Sequence, residues 1–196
     1  MKSSVLDAHS LAEAHLFLLA NPCDSCGRGP VRGAEGTRIP DATEDRLLLE
    51  VSGRCDACSA TSSRRFRLPP GVSGATAVIN PTDEPSRILD VAQWLTLFRM
   101  IVEAADREKD KVQARHLGIE AAQCLEEALR FYGEDDAPDP SGFFLDSSRK
   151  HLAEHPQQFS RQRLLGLRAK LPTLVAMQAT LSREPKKRPW WRPWSK

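Results

Sequence analysis

Two cysteine pairs, Cys23-Asp24-Ser25-Cys26 and Cys55-Asp56-Ala57-Cys58, constrain this 196-residue chain more than any other feature. A gap of two residues lets both sulfurs of a pair reach one ion while backbone N–H groups turn toward them. Two such turns can close a tetrahedron of thiolates around a d¹⁰ ion at metal–sulfur distances of about 2.3 Å. Gly27 follows the first pair and supplies the permissive backbone such a turn needs. Ser59 stands at the matching place after the second pair, where a glycine is more usual. Four of the five cysteines are used in this way, and an odd count with this spacing points to metal rather than a disulfide framework.

With its flanking segments, the double C-x-x-C pattern resembles the zinc-ribbon group over roughly residues 21–68. The resemblance implies a small antiparallel sheet carrying a structural Cys₄ zinc, with Cys23, Cys26, Cys55 and Cys58 as ligands. Such ribbons commonly serve as recognition surfaces inside larger assemblies. The 28 residues between Cys26 and Cys55 exceed the compact spacing of about 15–20. "GAEGTRIPDATED" therefore reads as an inserted loop. Iron could take the place of zinc with the same ligands. Four protein donors leave no position for water or substrate, so the expected role of the ion is to hold the fold. A β module this small cannot bury enough apolar surface to stand without it.

Around this module the periodicities divide the chain. Ser10 and Glu13 form a capping-box pattern ahead of Leu11, Ala14, Leu16, Phe17 and Leu19, and Asn21-Pro22 ends that short helix. Strand character is expected at 46–53 and 62–69. Residues 69–86 read as linker with a short strand near Ala75–Ile79. From Ser86 onward Ile88, Val91, Ala92, Leu95, Phe98, Val102 and Ala105 share a helical face. A second stripe runs from Ala114 to Tyr132 and carries Cys124 as a core thiol. Shorter helices are expected over Phe143–Glu154 and from Arg161 to Leu181, the latter kinked at Pro172. The expected fold class is α+β: a small antiparallel zinc ribbon followed by an α-helical domain of three or four helices. The expected units are an N-terminal helix plus ribbon (1–68), a linker (69–85), the helical domain (86–182) and a tail (183–196).

Charge separates the tail from the body. Arg183 to Lys196 holds six cations against Glu184 alone, within a net charge of +2 for the whole chain, so the body is mildly acidic. In the tail Lys186, Lys187, Arg188 and Arg192 alternate with Trp190, Trp191, Trp194 and prolines. Such residues could stack on bases and meet phosphates, anchor in a partner protein, or rest peripherally on an anionic membrane surface. Arg54, Arg64, Arg65 and Arg67 beside Phe66 could add a basic edge to the ribbon. Residues 21–68 nonetheless hold eight Arg and seven Asp/Glu, close to neutral for a nucleic-acid domain. "HLAEH" at 151–155 matches the H-x-x-E-H protease pattern, but Pro156 cuts the helix and only Glu184 remains downstream as a carboxylate ligand. No phosphate loop or nucleophile motif occurs. The reading is a non-catalytic, cytoplasmic zinc-binding adaptor whose partner is another protein and which lacks a transmembrane segment. The alternative is nucleic-acid binding through the ribbon arginines and the tail.

Overall fold

Alternation of apolar and polar residues in the first half of the chain builds a sheet. The helical period of the second half builds a bundle against it. The computed structural model describes residues 5–39, 47–70 and 78–172. Its elements are β1 (Leu6–Asp7), α1 (Leu11–Ala20), β2 (Val31–Ile39), β3 (Leu47–Cys55), β4 (Thr61–Leu68), α2 (Val91–Arg107), α3 (Lys111–Leu129), α4 (Asp146–Glu154) and α5 (Arg161–Arg168). The fold is thus mixed α and β.

The four strands lie in the order β1-β4-β3-β2. β2, β3 and β4 form an antiparallel meander, and β1 joins its outer edge in parallel, with Leu6 opposite Phe66. The parallel strand is an addition to the expected ribbon. Two residues cannot signal a strand by periodicity, and their pairing is decided by proximity to β4. Much of the expected inserted loop is also strand. Residues 35–39 pair with 48–52 of β3 after a bulge between Arg32 and Glu35. Gly33 takes a left-handed φ of +62° at that bulge.

Along β3 the buried positions are Leu49, Val51, Gly53 and Cys55, the period of two that puts one face inward. α1 covers that face. A Cβ at Gly36 would sit 2.9 Å from Leu11 Cδ1, so helix and strand approach where only hydrogen fits. Phe17 meets Phe66 edge to face at 5.6 Å. α2 buries Val91, Trp94, Leu95, Leu97 and Ile101 against Ala121, Cys124, Leu125 and Ala128 of α3. One continuous cluster of buried side chains runs from Cys23 through Val51, Phe66 and Trp94 to Leu164. Cys124 lies in it as the sequence suggests, and burial pushes its thiol well above the usual range.

The helix ends show how local signals were redirected. Ser10 caps α1 by accepting from the Glu13 N–H at 3.1 Å, but the Glu13 carboxylate accepts from His9 N–H rather than closing the box on Ser10. α2 starts at Val91 because Asp90 and Gln93 form a full reciprocal capping box. The expected helix over Phe143–Glu154 begins only at Asp146. Phe143 is buried beside Phe159 at 5.3 Å, at the end of a 3-10 turn over Pro140–Gly142. The last expected helix begins at Arg161 as α5 but ends at Arg168, ahead of Pro172; positions from 173 onward lie outside the described residues, as do 75–77 of the expected strand near Ala75–Ile79. Val78 and Ile79 are not in a strand. No helix among the described residues is long and apolar enough to cross a membrane.

Asp90 is fully buried and does two tasks. One carboxylate oxygen accepts from Gln93 N–H at 2.9 Å, and the other accepts from the N–H groups of Phe144 and Leu145 at 3.2 and 3.3 Å. Asp90→Ala strips a cap worth about 1 kcal/mol and leaves two further donors unpaired. The expected loss in urea unfolding is about 2–3 kcal/mol. A loss below about 0.5 kcal/mol would contradict this role.

Candidate metal centre

β2 and β3 position the two cysteine turns. In their ladder Val31 lies opposite Cys55, so the chain enters β2 and leaves β3 at the same end of the hairpin. The first turn precedes β2 and the second follows β3, which brings sequence-distant pairs side by side. The long gap between them is spanned by two nine-residue strands and their connection.

The two turns share one backbone design. The N–H of Gly27 donates to Cys23 O at 2.8 Å, and the N–H of Ser59 donates to Cys55 O at 2.8 Å. Cys23 N–H donates to Arg28 O, and Cys55 N–H donates to Ala60 O. Gly27 has φ +66° and Ser59 φ +60°, so both turns end in the left-handed region. Glycine adopts it freely, whereas serine does so against its Cβ.

The sulfurs converge. Cys23 Sγ and Cys58 Sγ lie 3.8 Å apart, Cys26 Sγ and Cys55 Sγ 3.7 Å, and all four lie within 4.8 Å of one another. A tetrahedral ion with metal–sulfur bonds of about 2.3 Å requires sulfur–sulfur edges of about 3.8 Å. The same distances are far beyond a disulfide bond of about 2 Å, and all five cysteines are free thiols. The residues therefore fit a Cys₄-bound ion. Once bound, the ion supplies four metal–thiolate bonds that tie β2 and β3 to both turns.

Protonation follows from the crowding. Backbone N–H groups, that of Ser25 foremost, lower the Cys23 thiol to about 7. The Ala60 N–H favours the Cys58 thiolate, but Cys26, desolvation, Cys55 and Cys23 outweigh it and push that thiol up to about 12. Without a cation, four thiolates cannot share this volume. A divalent ion removes that obstacle, so metal binding releases protons.

A second layer, not apparent from the spacing, surrounds the sulfurs. Each pair carries Asp directly after its first cysteine, and each Asp grips an arginine of the sheet. Asp24 receives a bidentate pair from Arg64 of β4 plus the Ser62 hydroxyl at 3.3 Å, and this guanidinium holds its carboxyl below the usual range. Asp56 is paired with Arg32 of β2 at 2.7 Å. The repeated Cys-Asp-x-Cys was the available signal, but its partners depend on strand pairing.

The other proposed binding residues divide in two. Arg64, Arg65 and Arg67 lie on β4 near acidic groups: Asp24, Glu50 at 3.9 Å and Asp7 at 3.3 Å respectively. Arg54 donates to Ser59 O at 3.1 Å. Lys186, Lys187, Arg188, Trp190, Trp191, Arg192 and Trp194 lie outside the described residues. His151 and His155 stack edge to face at 5.0 Å, with His151 also against Phe159. Among the described residues, the four cysteines are the metal-ligating group that comes together.

No family model matches the chain, and comparison with curated proteins and with solved structures found no similar protein.

Gly27→Ala forces a Cβ into the left-handed turn and is expected to cost about 1–2 kcal/mol. Ser59→Gly should act in the opposite direction by a smaller amount, because glycine's extra freedom in the unfolded chain offsets part of the relief. Urea unfolding of the metal-loaded protein measures both. Equal effects of the same sign would refute the matched-turn description.

Proposed function

We propose that this chain is a non-catalytic zinc protein whose Cys₄ centre is structural and whose role is to bind another protein as an adaptor. The observation that carries the reading is the closure of the site. Four sulfurs within 4.8 Å of one another suffice to fill the shell of a tetrahedral ion, which leaves it no position for substrate. Zinc is the ion we assign, since it asks only for tetrahedral sulfur and brings no redox chemistry; iron would use the same ligands.

A protein partner is favoured over nucleic acid by the charge arrangement. Arg64, Arg65 and Arg67 are paired with neighbouring carboxylates, whereas a phosphate-binding edge requires uncompensated cations. Phe144 and Leu145, 38% and 39% exposed, offer adjacent apolar surface near Phe131. Apolar and aromatic side chains of this kind are the usual anchors of protein contacts.

Elemental analysis of the purified chain is expected to give one zinc per molecule, and cobalt substitution should give the absorption of tetrahedral cobalt thiolate. Removing the ion with a strong chelator, or Cys23→Ser, should unfold the β2–β3–β4 region while Cys124→Ala leaves metal content unchanged. Metal-free protein with unaltered thermal stability would refute the structural role. Binding to single-stranded nucleic acid that falls steeply with salt would refute the choice of partner.

A further inference from the structure

A polar clasp inside the protein is independent of the metal centre. Residues 78–90 follow no regular secondary structure, yet Ile79, Asn80, Ser86, Ile88 and Leu89 are buried. α1 and α3 grip this segment from two sides. The Ser10 hydroxyl donates to Ile79 O, and Ile79 N–H donates to Gln123 Oε1 at 2.7 Å. Asn80 Nδ2 donates to Glu127 Oε2 and to Glu84 O, both at 2.9 Å. Arg130 reaches the carbonyls of Thr82 and Glu84 while its Nε lies 3.2 Å from Glu127 Oε1.

Two carboxyl groups are enclosed by this clasp, Glu13 fully buried and Glu127 nearly so. They are not equivalent. Glu127 has Arg130 and Asn80, partners suited to an anion. Glu13 accepts from His9 N–H through Oε2, and the Ser86 hydroxyl is its one other neighbouring donor among the described residues; no cation pairs with it. A fully buried carboxylate without a paired cation is costly, whereas a protonated carboxyl avoids that cost.

We propose that Glu13 and Glu127 hold one proton between them in the folded protein, on Glu13, and that losing it loosens the grip of α1 and α3 on residues 78–90. The proton is the ligand of this site, and the clasp is its readout. The other titratable or charged groups around the pair are His9 ahead of α1, Glu84 and Arg87 on the gripped segment, Glu126 on α3 and Arg130 at its C-terminal cap. His9 is held by contacts of its ring nitrogens to Thr82 Oγ1 and Pro85 O, both at 3.3 Å. Desolvation raises both carboxyls, Glu127 to about 7. At Glu13 it outweighs the Ser86 hydroxyl and the His9 N–H, which favour the anion. A carboxyl raised in the folded state adds stability that is complete below its unfolded value and is lost as pH rises through the folded one. The stability is therefore complete below the ordinary glutamate value and is lost as pH rises through the raised value of Glu13. A zinc–thiolate centre behaves oppositely, weakening as pH falls.

The test compares zinc-loaded full-length protein with Glu13→Gln across a range of about pH 5.5 to 8. The metal centre contributes equally to both, so the ratio of their unfolding constants isolates the pair. One linked proton makes the wild-type constant rise relative to that of Glu13→Gln by up to about tenfold per pH unit. Labelling of buried Cys124, corrected for the intrinsic reactivity of a small free thiol, should accelerate more steeply with pH in the wild type than in Glu13→Gln. Should Glu13→Gln fail to fold, carboxyl-carbon NMR of the wild type decides the matter. It should show a buried glutamate titrating above about pH 6, and all glutamates titrating below about 5 would overturn the proposal. Parallel pH profiles for the two proteins would also overturn it. So would a pH dependence that survives Glu13→Gln and Glu127→Gln but vanishes in His9→Gln.

Discussion

The register of one hairpin decides whether the cysteines of this chain can act together. Because Val31 pairs with Cys55, the backbone arrives at β2 and departs from β3 at a common end. The two turns then present their sulfurs to the same small volume. A slip of one residue would send Cys55 to the opposite face of the sheet, away from Cys23 and Cys26. The inward run Leu49, Val51, Gly53 and Cys55 guards against that slip, since the same alternation that buries the sheet's face also aims the sulfur. Hydrophobic burial and the convergence of the four sulfurs therefore go with one register.

The Asp–Arg pairs extend this logic outward. Asp24 and Asp56 sit at equivalent positions of the two turns, and each is tied to a strand of the sheet, Asp24 to β4 and Asp56 to β2. Isolated exposed pairs of this kind contribute little stability. Their effect here is orientational: they hold turn against sheet, and they occupy arginines that would otherwise give the sheet a basic edge. The second interior feature is of a different kind. Residues 78–90 lack strand or helix, so their buried polar groups need partners from elsewhere. Ser10, Gln123, Glu127 and Arg130 provide them. This segment, which composition marks as a linker, becomes the polar seam between α1 and α3.

Particular residues show where sequence reasoning succeeded and where it could not. The four converging cysteines were legible because a two-residue gap is a local geometric statement that needs no fold. The α2 and α3 faces were legible because Val91 through Ile101 and Ala121 through Ala128 repeat at helical spacing. β1 was not, since two residues carry no period and its ladder is made by β4. The loop reading of 33–39 missed a strand because glycines and a bulge interrupt its alternation. The start of α4 shifted because Phe143 gains more by burial beside Phe159 than by joining the helix.

The amino-acid order alone determined which side chains could hold an ion, that both strands and helices would form, and that the body would carry little net charge. Those properties are local or additive. Tertiary structure decided that Arg64 and Arg32 belong to Asp24 and Asp56, that Glu13 would turn from its cap toward a buried seam, and that Asp90 would cap two segments at once. Each of these is a pairing across a long stretch of chain or a buried seam, and its energy depends on a distance and a degree of burial that exist only once the core has closed.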